Sequence, residues 1–80
     1  MNDSLLKVIQ ALQELEEDSS IPKNLKLKIS NTIGLLRAES EVSIKVNKAL
    51  NELEEIAEDV NMQPFTRSQI FNIVSLLEVV

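Results

Sequence analysis

The chain has no cysteine, histidine, tryptophan or tyrosine, and it has one glycine and two prolines. Each shortage closes off a class of protein. Without cysteine there is no disulfide framework, no thiolate metal site and no sign of an oxidising compartment. Without histidine as well, the usual neutral-pH base, imidazole ligand and thiolate nucleophile are missing, which argues against an enzyme. One glycine cannot build the phosphate-cradling loops of the Walker or dinucleotide type. The β-branched and aromatic runs that mark strands are absent. No stretch approaches the roughly 20 apolar residues that span a bilayer. Met1-Asn2-Asp3-Ser4 also lacks the positive segment and long apolar run of a secretory signal. The expected setting is therefore soluble and cytoplasmic, and the acceptor-like pattern Asn2-Asp3-Ser4 is read as accidental.

What remains is helix-forming and acidic. Eighty residues make one small domain, and 44% hydrophobic content is too high for a disordered chain. A net charge of −5 aids solubility and works against broad contact with phosphate backbones.

The chain also repeats itself. Residues 7–17 (KVIQALQELEE) and 45–55 (KVNKALNELEE) are identical at eight of eleven positions, at an offset of 38. At an offset of 41, Ile29, Asn31, Leu35 and Leu36 recur as Ile70, Asn72, Leu76 and Leu77. This is the signature of one helical hairpin written twice. The expected fold is all-α, an up-and-down four-helix bundle in a single domain over 1–80, with hairpin copies at about 3–37 and 41–80. The change of offset implies three extra residues between Glu55 and Asp59, which would lengthen helix 3 by nearly one turn.

Apolar spacing places the elements. Helix 1 is expected from about Asp3 to Glu17, capped by Asp3 or Ser4, with Leu5, Val8, Ile9, Leu12 and Leu15 inward. Pro22 suits the first position of helix 2, which runs to about Arg37 with Leu25, Ile29, Ile33 and Leu36 inward. Gly34 is a weak spot within it unless a neighbouring helix needs close approach. Ser40 is the expected cap of helix 3, whose seam is Val42, Val46, Ala49, Leu53, Ile56 and Val60. Pro64 starts helix 4, with Ile70, Ile73, Val74, Leu77 and Val80 inward. The candidate core residues are Leu12, Ile29, Leu53, Ile70 and Leu77.

Acidic residues crowd the end of helix 1 and lysines the start of helix 2, an arrangement each helix dipole disfavours alone. An antiparallel turn would let Glu17 face Lys23, Glu14 face Lys26 and Glu55 face Arg67. Lys23, Lys26 and Lys28 also raise a nucleic-acid reading, because a helix N-terminus attracts phosphate. The adjoining acidic cluster, the net charge and the lack of tyrosine and tryptophan weigh against it. Glu14/Glu17 and Glu52/Glu55 have the spacing of carboxylate-bridged metal bundles but no histidine, and Leu15 and Leu53 claim the inner face. No metal or other cofactor is expected.

Helix 4 is more apolar than its repeat partner: Ser30 becomes Phe71, Thr32 becomes Ile73 and Ala38 becomes Val79. Its polar strip is too narrow for an ordinary surface helix. Phe71 and Val79 are therefore candidate self-association residues, pointing to a homodimer or another protein partner.

Three motifs carry a family resemblance: Ile21-Pro22-Lys23-Asn24, Asp59-Val60-Asn61-Met62 and Leu76-Leu77-Glu78. In these the chain resembles a small archaeal family of function unknown, uncharacterised protein family 0147. The resemblance covers nearly the whole chain. It departs at Val60, where that family tends to have proline, and at Phe71, where it tends to have tryptophan. It implies an all-α bundle in an archaeal cytoplasm and brings no catalytic residues.

Overall fold

Leu5, Val8, Ile9, Leu12 and Leu15 are all buried along one face of α1 (Asp3–Glu16), as their spacing requires. The computed structural model describes residues 3–80. It continues with α2 (Lys23–Arg37), α3 (Val42–Glu58) and α4 (Pro64–Glu78), with no strand among the described residues. Consecutive helices pack on one another, α1 also packs on α4, and the backbones of the diagonal pairs stay more than 8 Å apart between Cα atoms. The result is a closed ring of four, 32 × 19 × 18 Å. Among the described residues α1 has 14 residues and α3 has 17.

The core takes one face from every helix. Leu12, Ile29, Leu53, Ile70 and Leu77 are all fully buried, and Val80 packs partly against the same cluster. The seam of α3 differs from the expected one at both ends. Val42 is 44% exposed and Val60 is 92% exposed. The helix stops at Glu58, because Asp59 turns to extended backbone (ψ 132°) and takes Val60 off the helical path. Lys45 and Ala57 are buried in α3 instead.

The two hairpin turns are built alike. Asp18 Oδ1 accepts the N–H of Ser20 at 2.9 Å, and Asp59 Oδ1 accepts the N–H of Asn61 at 2.8 Å. The Asp18 carbonyl then accepts the N–H of Ile21, and that of Asp59 the N–H of Met62. Each aspartate mimics a backbone turn with its side chain. Each turn thereby drives one apolar side chain, Ile21 or Met62, into the end of the core.

The helix starts correct several expectations. Asp3 and Ser4 are already helical, so neither is the cap; Asn2, preceding them, lies outside the described residues, as does its part in the acceptor-like pattern. Pro22 sits one position earlier than expected, flanking α2 with ψ 146°. Its carbonyl accepts from Leu25 and Lys26, both at 3.0 Å. Ser40 does not cap α3. Glu41 takes that place, its carbonyl accepting from Lys45 at 3.1 Å. Pro64 is the first residue of α4, as its fixed φ favours.

Among the described residues no φ is positive, so helix ends such as Ala38 and Asp59 leave through extended backbone and need no glycine. The one glycine, Gly34, lies inside α2, and a Cβ added there would meet nothing within 4 Å. Gly34→Ala should therefore stabilise the fold by about 1 kcal/mol through helix propensity. Chemical denaturation would check it, and a destabilised variant would show that the position is held by something other than local backbone preference.

Candidate functional site

Exposed large apolar side chains occur on every helix and are most numerous on α4. Its inward face is Thr66, Ile70, Ile73, Val74 and Leu77. Phe71, about 100° around the helix from Ile70, is 48% exposed, and Val79 is 81% exposed. The helix has not sunk into the bundle to hide them. A second stripe, Phe65, Gln69, Asn72 and Leu76, runs at 4-3-4 spacing. Phe65 is 74% exposed and Leu76 50%. By helix geometry Leu76 stands about 140° from Phe71, so α4 carries apolar groups on both flanks of its outer face.

The Leu76 flank borders a groove of about 270 Å³ between α1 and α4. Ala11, Leu15 and Ile73 form its buried or half-buried floor, while Glu14, Asp18, Asn72 and Leu76 stand on its rim. Gln69 also lines it, and its buried Oε1 has no hydrogen-bond partner among the described residues. The Asp18 carboxyl is held below its ordinary pKa. The Ser20 hydroxyl contributes most, at 2.7 Å, followed by the Ser20 N–H, against a small opposing effect of burial; Lys26 adds a weaker attraction. Asp18 is thus a firmly ionised carboxylate at neutral pH. The groove between α1 and α2 is larger, about 600 Å³, but polar and of mixed charge, with Glu16, Glu17 and Arg37 on its walls.

Two of the basic side chains, Lys45 and Arg67, serve structure. No ion pair joins Glu17 to Lys23, Glu14 to Lys26 or Glu55 to Arg67. Holding two long exposed side chains together gains little in water, and Arg67 has better acceptors. Its Nε donates to the Ala57 carbonyl at 2.7 Å, and its Nη2 to those of Asp59 and Met62 at 3.2 and 3.1 Å. Lys45 does the same for α2, its stem buried and its Nζ donating to the Ala38 carbonyl at 3.1 Å. Lys23, Lys26 and Lys28 straddle α2, with Lys28 about 160° from Lys26, so they form no single phosphate-facing patch. Glu14, Glu17 and Glu55 lie exposed and Glu52 half-buried. Among the described residues no three acidic groups gather as a metal ion would require. No helix there is long and apolar enough to cross a membrane.

Fold and surface together define a small all-α bundle whose distinctive chemistry lies on its outside. The chain belongs to the uncharacterised protein family UPF0147, which it matches over residues 1–80. It is 37% identical to a UPF0147 protein of Sulfurisphaera tokodaii, covering 98% of this chain and 92% of the relative. It is 35% identical to another of Methanosarcina mazei, covering 99% and 89%. Its fold is that of the crystal structure of an unknown-function protein, MMP1188, with a TM-score of 0.90, 35% identity and coverage of 98% and 90%. The resemblance read from the turn and helix motifs thus extends over the full length. Val60 and Phe71 both lie outside the core.

Proposed function

We propose that this protein is a non-enzymatic interaction module of the cytoplasm, presenting helix surfaces to protein partners, a second copy of itself among them. The observation that supports this reading is the outer face of α4, where Phe71 and Val79 stand in solvent although nothing in the bundle requires them there. Large apolar side chains on one helix of so small a domain mark a surface that is covered in use. A two-fold contact through α4 is the simplest cover, since it pairs Phe71 with its own copy. Sedimentation at tens of micromolar is expected to show a dimer. Phe71→Glu should convert it to a monomer with an unchanged helical signal. A wild-type chain that is monomeric, with a Phe71→Glu variant equally stable, would remove self-association. Stoichiometric metal in the purified protein would overturn the non-enzymatic part.

A further inference from the structure

We propose that the groove between α1 and α4 receives a basic amphipathic helix from a partner protein. This names a partner class for the interaction module and rests on that reading, but on the flank of α4 away from Phe71. Three observations converge there. Leu76 and Phe65 expose apolar surface along one stripe of α4, beside the apolar floor made by Leu15 and Ile73. A helix laid in such a groove anchors through side chains at i, i+3 or i+4, and i+7. The Gln69 Oε1 acceptor on the groove wall has no donor among the described residues, so an N–H or O–H from a bound helix would be matched there. On the opposite wall Glu14 and the firmly ionised Asp18 set a negative rim at one end of the groove. Lys7 continues the same stripe of α1 toward the other end, by helical spacing. The pattern therefore asks for a helix with an apolar stripe, a donor facing Gln69, and lysine or arginine at the end that meets Glu14 and Asp18.

A second copy of the chain matches this poorly. Its net charge is −5, and the cation on α4, Arg67, is committed to three carbonyls. Its basic helix, α2, offers Leu27 as its one large exposed apolar side chain, too little for a groove that needs successive anchors.

The probe is a synthetic amphipathic peptide of about 18 residues with leucines at helical spacing, flanking lysines and one tryptophan. The protein has no tryptophan or tyrosine, so the peptide's fluorescence is read without background. Saturable binding is expected, weakened at least about tenfold by Leu76→Asp and by the double change Glu14→Lys with Asp18→Asn, in which the asparagine keeps the Oδ1 acceptor of the turn. Phe71→Glu should leave it unchanged. The positions changed are exposed or half-buried, and wild-type helical signal in each variant confirms that the fold is kept. Equal binding of a peptide with glutamates in place of the lysines would overturn the proposal, as would indifference to Leu76→Asp or no saturable binding at all. Loss of self-association in the Leu76→Asp chain would also overturn it, by assigning the groove to a second copy. If peptide binding fails while Phe71 still governs dimerisation, the interaction reading survives and this inference alone is lost.

Discussion

Replacing Leu12, Ile29 or Leu53 by alanine is expected to cost roughly 2–5 kcal/mol of folding stability in each case. The three side chains come from three different helices and all are fully buried. Each truncation removes apolar surface from the interior and leaves a void that the ring of helices must span. A domain of this size holds only about 5–10 kcal/mol in total, so any one of them should lower the thermal midpoint steeply, and pairs should prevent folding. Urea denaturation followed by helical circular dichroism measures the loss directly. A variant with an unshifted midpoint would mean that its helix does not face the core as described.

Arg67→Met should rank next. The methionine keeps much of the apolar stem but removes the fork that binds the carbonyls of Ala57, Asp59 and Met62. The last turn of α3 contains no basic residue of its own, so its dipole and its free carbonyls are answered from α4. A loss of roughly 2–3 kcal/mol is expected, in line with charge-assisted bonds left unmade. Arg67→Lys should recover only part of it, because an ammonium cannot span three acceptors as a guanidinium does. If lysine restores full stability, charge near the helix end is what counts and the fork geometry is irrelevant.

The all-α bundle and its helix order were legible in the sequence because periodicity and repetition are properties of side chains alone. So was the apolar excess of α4, since the strip left for polar residues between Ile70 and Val80 is visibly too narrow. Helix ends were less legible. Val60 continues the spacing of the α3 seam, but spacing says nothing of where the backbone turns, and Asp59 turns it first. Lys45 reads as a surface lysine until the Ala38 carbonyl is seen within its reach. Charge alone pairs Arg67 with Glu55, because a sequence displays charges and conceals the carbonyls that compete for them. The α1–α4 groove was out of reach for a further reason. It exists only where two helices far apart in the chain become neighbours, and neither Gln69 nor Asp18 signals that meeting by itself.

The order of helices around the ring also bears on how fast it assembles. Three of its four seams join helices consecutive in the chain, and α1 against α4 is the single long-range closure. Short connections make the first three entropically cheap to close. Topologies dominated by such local contacts fold in microseconds to milliseconds. The apolar flanks of α4 are therefore presented by a settled surface almost as soon as the chain collapses, with little time for them to be caught in wrong company.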